Sequence, residues 1–380
     1  MWMKKKRVKY YPIGVDLGSS SLKMAQINIS GNNLELLAAK SAEIPHEHYN
    51  NPKERLSIQS KKIHHMLKSG GFKGHRAIIS LPSAFTSIRQ VKIPLSVSNN
   101  IDNAVRAELN GQLSYPVEDA VIRHYLVGKV YSNGEEMQTR FVVAASQGEV
   151  NACIKMAHHA GLEVVGVDIE ACAIVECFAR LLGQNAGESR TTLIIDIGWT
   201  GTQVALSHGQ KLAFARNLPV GGQNLDQTVA ETLNIPIVQA CRIRRKMLED
   251  RNNSEAENDL FRLLDAKIVE ISGEIIKCLR YHESIFTHRT IERVIFVGGQ
   301  AHNSRLCESI AKRLNLPAQV GDPMAGIKWP HQGQLDPQLD RQKPNPSWAV
   351  AIGLSLSADL APMKTIADDT KTQALAGVVN

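Results

Sequence analysis

Two short turns in this chain carry the residue types that bind phosphate. The first is Asp16-Leu17-Gly18-Ser19-Ser20-Ser21, with Lys23 two positions on. A turn of Gly and Ser offers exposed backbone N–H groups and hydroxyls to an anion. An Asp at the end of the preceding strand can orient a hydrated Mg²⁺, which keeps several waters and touches few protein groups. Lys23 lies within reach of the same face. The second turn, Asp196-Ile197-Gly198-Trp199-Thr200-Gly201-Thr202, repeats that chemistry 180 residues later. Either turn alone is an ordinary Gly-rich hairpin. Facing each other across a cleft, the two could clamp a triphosphate, one at the β-phosphate and metal, the other at the γ-phosphate. A third element, Gly298-Gly299-Gln300, follows the apolar run 293–297. Two glycines at a strand-to-helix turn let a flat ring or a phosphate approach the backbone closely, although a plain connecting loop has the same composition.

The elements that must position these turns form an internal repeat. Residues 13–17, 22–29 and 34–44 are β-rich apolar runs separated by Gly, Ser and Asn. Residues 193–197, 202–206 and 212–218 repeat the arrangement. Both stretches read as three-stranded meanders, so two similarly built halves are expected. Helices are expected over 54–69, 148–161, 168–183, 258–286 and 304–314, with a strand over 163–167. In 258–286, Phe261, Leu264, Ile268, Ile271, Ile275 and Cys278 recur at spacings of three and four, the signature of a buried helix face or, less commonly, of a coiled-coil seam. An insertion over 83–142 is expected to hold a helix at 98–113 and a hairpin whose Asn133-Gly134 turn demands positive φ. The Pro- and Gly-rich stretch 321–347 reads as loop. The resulting layout is a basic arm (1–10), a first domain (11–82 and 143–186), the insertion (83–142), a second domain (187–358) and a polar tail (359–380).

Composition excludes several classes. With 43% apolar and 21% charged residues the chain reads as globular, and it has no apolar run near the ~20 residues that cross a bilayer. The start, Met1-Trp2-Met3-Lys4-Lys5-Lys6-Arg7, has the charge of a signal peptide but not its apolar stretch. That arm reads equally as a solvated segment or as a contact for an anionic membrane surface. The six cysteines form no C-x-x-C pair, so a reduced compartment and no cysteine metal site are expected. A net charge of +7 without any recognisable nucleic-acid motif gives no support for nucleic-acid binding. His64-His65 and His158-His159 are neighbours in sequence, point to different sides of a helix, and read as surface residues.

The order Asp-x-Gly, Asp-x-Gly, strand-Gly-Gly resembles the actin-like ATPase superfamily, with its two phosphate loops and adenosine loop. Asp168-Ile169-Glu170-Ala171-Cys172-Ala173 is similar to the first connecting helix, which implies that Glu170 positions an attacking water. Pro219-Val220-Gly221-Gly222-Gln223-Asn224-Leu225-Asp226 resembles the turn after the second meander, and Trp348-Ala349-Val350-Ala351-Ile352-Gly353-Leu354 the second connecting helix. Within the superfamily the chain looks like the PilM family of type IV pilus assembly. The residues that carry this are Ile13-Gly14-Val15-Asp16-Leu17-Gly18-Ser19-Ser20-Ser21-Leu22-Lys23, Pro94 with the helix after it, Pro116-Val117-Glu118, and Gly161-Leu162-Glu163 through Val167-Asp168-Ile169-Glu170.

That resemblance implies an α/β actin-like fold, two related domains around a nucleotide cleft, with the insertion as a 1C-type subdomain. It implies ATP and Mg²⁺ as cofactors, the metal held by Asp16 and Asp196 through water. Nucleotide contacts would come from Asp16, Gly18, Ser19, Ser20, Ser21, Lys23, Asp196, Gly198, Thr200, Gly201, Thr202, Gly221, Gly222, Gly298, Gly299 and Gln300. Arg244 would reach the ribose side, where related sequences carry Lys. Trp199 is bulkier than the usual residue, and Asp226 stands where Thr is common. The implied partner is the cytoplasmic N-terminal tail of a PilN-like inner-membrane protein, in a groove between the first domain and the insertion. The implied location is cytoplasmic and peripheral at the inner membrane, with slow or absent ATP hydrolysis and self-association left open. Two other readings compete. An FtsA-like membrane filament protein would end in an amphipathic basic helix, whereas 359–380 has little apolar face and only Lys364 and Lys371. A small-molecule kinase would need a further acid to deprotonate its substrate.

Overall fold

The computed structural model describes residues 9–30, 33–132, 134–183, 191–249, 254–286, 289–330 and 335–357. The basic arm before Lys9 and the tail after 357 lie outside the described residues. The first half opens with β1 (Lys9–Tyr10), β2 (Ile13–Asp16), β3 (Ser21–Ser30) and β4 (Asn33–Glu43), then α1 (Pro52–Ser69) and β5 (Arg76–Leu81). An excursion follows: β6 (Thr86–Pro94), α2 (Ile101–Leu109), β7 (Ala120–Ser132) and β8 (Glu135–Ser146). The chain returns through α3 (Gln147–His159), β9 (Glu163–Ile169) and α4 (Glu170–Gly183). The second half contains β10 (Thr191–Ile197), β11 (Thr202–His208), β12 (Lys211–Leu218), α5 (Gly222–Leu233), α6 (Ile237–Glu249), α7 (Ser254–Ile285), β13 (Ile291–Val297), α8 (Ser304–Leu314) and β14 (Ala318–Val320). It closes with β15 (Ile327–Lys328) and α9 (Ala349–Leu356).

The two large sheets share one plan. The first runs β15-β4-β3-β2-β5-β9, with β1 beside β3; the second runs β12-β11-β10-β13-β14. In each, an antiparallel meander is extended by parallel strands that arrive through helical crossovers. The parallel strands β2 and β5 have apolar residues on both faces, as strands covered on both sides must. This is the actin-like α/β fold.

Between the sheets lie α4 and α9, packed on each other. One apolar cluster joins Ile174 and Phe178 of α4 and Ile352 and Leu354 of α9 to Ala25 and Ile27 of the first sheet and to Ala205 and Ile295 of the second. Gly353 makes the helix crossing possible, because a Cβ there would overlap the carbonyl oxygen of Ala173. The sequence groups residues up to 358 with the second half, yet β15 and α9 sit on the first sheet. Ile327 and Lys328 pair with Leu34 and Glu35. The Ser355 hydroxyl donates to the Pro12 carbonyl at 2.8 Å and accepts from Ile27 N at 3.1 Å. A two-residue strand has no periodicity to detect, so 321–347 reads as loop.

The excursion forms its own three-stranded sheet, β6-β8-β7. Its core of Val91, Ile93, Val105, Leu109, Val117 and Val142 is separate from the others. The long hairpin of β7 and β8 is present, with Gly134 at φ +82°, while Asn133 lies outside the described residues. The expected helix at 98–113 is shorter, starting at Ile101 after a 3-10 turn, and β6 is a strand beyond those expected from the sequence. In the second half, Phe261, Leu264, Ile268, Ile271, Ile275 and Cys278 of α7 are all buried against β-strand residues such as Val204, Val294 and Phe296. The three/four spacing in α7 is therefore a core face and not a coiled-coil seam.

Candidate functional site

The two Asp-led turns face each other across one cavity of about 290 Å³. Each turn projects from the end of its sheet because its strands stop there. Asp16 is register-paired with Lys23 across the first hairpin, and Ile197 with Thr202 across the second. The Gly198 N–H donates to the Gly201 carbonyl at 2.9 Å, closing the second turn. Neighbouring elements fix both tips. Gln59 of α1 donates to the Gly18 carbonyl at 3.1 Å, and the Leu17 N–H donates to the Ser80 hydroxyl at 2.8 Å. The first turn of α5 donates to the second tip, Gly222 N–H to the Gly198 carbonyl at 3.0 Å and Gln223 N–H to the Trp199 carbonyl at 2.8 Å.

The cavity is lined by Asp16, Gly18, Ser19, Ser20, Ser21, Lys23, Glu170, Asp196, Gly198, Thr200, Gly201, Thr202, Gly298, Gly299 and Gln300. Gly221, Gly222 and Arg244 are not in its wall and stand one layer behind. A Cβ on Gly222 would lie 2.6 Å from the Gln300 side chain, so this glycine lets the third element close against α5. Arg244 is buried, with Nε on Asp226 Oδ1 at 2.6 Å, Nη1 on Gln300 Oε1 at 2.7 Å and Nη2 on the Gly222 carbonyl at 3.5 Å. It does not reach into the cavity. Its donors are shared among Asp226, the acid standing where Thr is common, Gln300 and Gly222. Gly298 has φ +91°, a backbone open to glycine and few others, and a Cβ there would collide with Asp196 Oδ1 and the Ile197 carbonyl.

The electrostatics are those of a site short of positive charge. Burial raises Asp16 to about 6, opposed by Lys23. Burial and then the charge of Asp16 raise Asp196 to about 7, again opposed by Lys23. Glu170 is raised well above the carboxylate range by burial, with Asp196 and Asp16 adding repulsion and Arg55 opposing. Burial holds all three carboxyls above their ordinary range, repulsion between them adds to this at Asp196 and Glu170, and a nearby cation would oppose the shift. Lys23 already donates to the Ser21 hydroxyl at 2.6 Å. The residues fit a phosphate chain with a divalent cation: a Gly-Ser turn from one side and a Gly-Thr turn from the other, carboxylates for the metal shell, and open space beside Gly299.

Two residues have roles here that the sequence does not disclose. Trp199, 3% exposed, leaves the second tip and enters the core of the first half. Its ring meets Tyr49 edge-on at 4.6 Å and His46 at 5.3 Å, while its Nε1–H donates to Asp226 Oδ2 at 2.9 Å. Arg55 of α1 also lines the cavity. No local signal could have found either, because both depend on a contact between chain segments far apart in sequence. His64, His65, His158 and His159 are exposed. Among the described residues no group of three or more His, Cys, Asp or Glu could hold a metal ion. Among the described residues no helix is long and apolar enough to cross a membrane.

A solved structure of a PilM–PilN type IV pilus biogenesis complex is similar at 21% identity and a TM-score of 0.74, over 92% of this chain and 98% of that one. The ethanolamine utilization protein EutJ from Carboxydothermus hydrogenoformans is similar at 16% identity with a TM-score of 0.49, over 92% of this chain and 90% of that one. The family model for type IV pilus assembly protein PilM matches residues 14–359. The chain therefore belongs to the PilM family of type IV pilus assembly proteins.

Proposed function

We propose that the chain is a cytoplasmic, Mg-ATP-binding scaffold of type IV pilus assembly that holds the N-terminal tail of a PilN-like inner-membrane protein. The observation that carries the nucleotide half is the pair of Asp-led turns opposed across one cavity. The N–H groups and hydroxyls of Ser19, Ser20 and Ser21 would hold one part of the phosphate chain, and the turn Gly198–Gly201 with Thr202 the other. Asp16 and Asp196 would hold the hydrated metal, and Gly298-Gly299-Gln300 would lie against the adenosine. A bound Mg²⁺ supplies neutralisation of phosphate charge. In this reading the domains close on the nucleotide, and the insertion with its separate core offers the wall of the tail-binding groove.

The nucleotide in this proposal holds a conformation and is turned over slowly or not at all. Glu170, which lines the cavity, would position a water. The partner half of the proposal rests on family membership and on the similarity to a PilM solved together with PilN.

The test is a titration of the full chain with a synthetic peptide of the PilN-like N-terminal tail, with and without Mg-ATP, beside Asp196→Ala. Saturable peptide binding that shifts with nucleotide in the unaltered chain, and does not shift in Asp196→Ala, is expected. The shift measures the coupling free energy between the two sites. No peptide binding in either state would refute the scaffold reading while leaving the cleft untouched.

A further inference from the structure

Among the residues lining the cavity, Lys23 and Arg55 are the cations. Lys23 faces Asp16 and donates to Ser21. Arg55 has no such commitment to a charged group through a hydrogen bond. It is 5% exposed, its Nη1 donates to the Tyr49 carbonyl, and its buried Nε–H has no partner. An unpaired donor on a buried guanidinium is costly unless something occupies the space beside it.

The placement of Arg55 follows from α1. Pro52 stands at the first helical position, and the Asn51 side chain accepts from the Glu54 N–H at 3.2 Å. Gln59, one turn after Arg55 on the same face, is tied to the Gly18 carbonyl. The helix is thereby laid with its N-terminus on the cavity, whose wall includes Asn50 and Pro52. The N-terminus of α1, the positive end of its dipole, and Arg55 both belong to the wall that also holds Glu170, and the charges of Arg55 and Glu170 act on each other.

We propose that Arg55 recognises the terminal phosphate of the bound nucleotide and makes the cleft prefer a triphosphate to a diphosphate; this rests on reading the cleft as a nucleotide site. A guanidinium presents a planar fork suited to a phosphate's oxygens, and its Nε–H and outer N–H groups can be used together. The same residue is joined to the wall between the halves. Arg55 holds the Tyr49 carbonyl, the Tyr49 ring meets Trp199, and Trp199 is anchored on Asp226 of the second half. Capture of the terminal phosphate thus acts on the aromatic contact that spans the cleft. The competing explanation is a structural arginine that only offsets the charge of Glu170.

The test uses the full chain and two nucleotides, a non-hydrolysable Mg-ATP analogue and Mg-ADP, on the unaltered protein, Arg55→Met and Arg55→Lys. In Arg55→Met, triphosphate affinity is expected to fall about 10- to 100-fold, the worth of a charge-assisted hydrogen bond, with diphosphate affinity within about twofold. Retained diphosphate binding is also the check that the variant folds. Arg55→Lys keeps the charge without the fork, so a smaller but still triphosphate-selective loss is expected. If Arg55→Met does not fold, the Arg55→Lys comparison decides the matter. Equal losses for the two nucleotides, or no loss for either, would overturn the proposal and leave Arg55 structural. Failure of the unaltered chain to bind either nucleotide would instead refute the nucleotide reading beneath it.

Discussion

Replacing Asp226 by Asn is the perturbation whose size the structure defines best. The Asp226 and Arg244 side chains are 0% and 2% exposed, and Nε sits 2.6 Å from Oδ1. The other carboxylate oxygen accepts from Trp199 at 2.9 Å. Removing the negative charge leaves a buried guanidinium with only neutral oxygens as partners, those of Gln300, Gly222 and the substituted amide. Breaking one side of a buried ion pair costs about 3–5 kcal/mol, because the remaining charge is left uncompensated. Against a total stability of about 5–15 kcal/mol, that is a large fraction. Exchanging both partners for apolar residues of similar volume removes the stranded charge, so Asp226→Leu with Arg244→Met should be milder than Asp226→Asn alone by about 2 kcal/mol or more, after the indole N–H loses its acceptor. The assay is urea unfolding of the full chain, the single variant and the double variant, read as midpoints at constant slope. An Asp226→Asn cost below about 1 kcal/mol, or a double replacement worse than the single, would refute the description of this pair as a dry, coupled contact.

Other expectations follow from the same geometry. Gly298→Ala should cost about 1–3 kcal/mol from its positive-φ backbone and should weaken Mg-ATP binding through the collision with Asp196; thermal melts and a nucleotide titration read the two effects separately. His208 and His282 lie 2.9 Å apart between ring nitrogens. Burial first, then the charge of Arg289, and for His208 also that of His282, lower them to about 3 and about 4. Between roughly pH 6.5 and those values the unfolded chain binds more protons, so this contribution is fully present above 6.5 and is lost as pH falls. His282→Leu should flatten the dependence of the urea midpoint between about pH 7 and pH 5; an unchanged slope would show that the pair does not cause it.

The parts of this molecule legible in the sequence are those encoded locally. The Asp-x-Gly turns and their flanking β-rich runs each lie within one short stretch, and the fold they imply is the actin-like one observed. The β7–β8 hairpin is readable for the same reason. What escapes depends on distant partners. The alternation in 86–94 is diluted by Ser, Arg, Gln and Lys, so β6 is defined by pairing with β8 and not by its own composition. Trp199 reads as an oversized loop residue, and its role exists only because Tyr49 and Asp226 stand on either side of it. Arg244 reads as a ribose contact because a positive residue is common on that helix; an acid at 226 turns it inward. Arg55 has no motif at all, and only the docking of α1 on the first tip brings it to the cavity.

The most direct test of the cleft assignment is hydrogen exchange on the full chain, with and without a saturating non-hydrolysable Mg-ATP analogue. Slowed exchange is expected in three separate segments, 16–23, 196–203 and 298–302, which lie far apart in sequence but meet at one cavity. Saturable binding that protects none of these three, or protects other segments instead, would contradict the placement of the nucleotide between the two Asp-led turns.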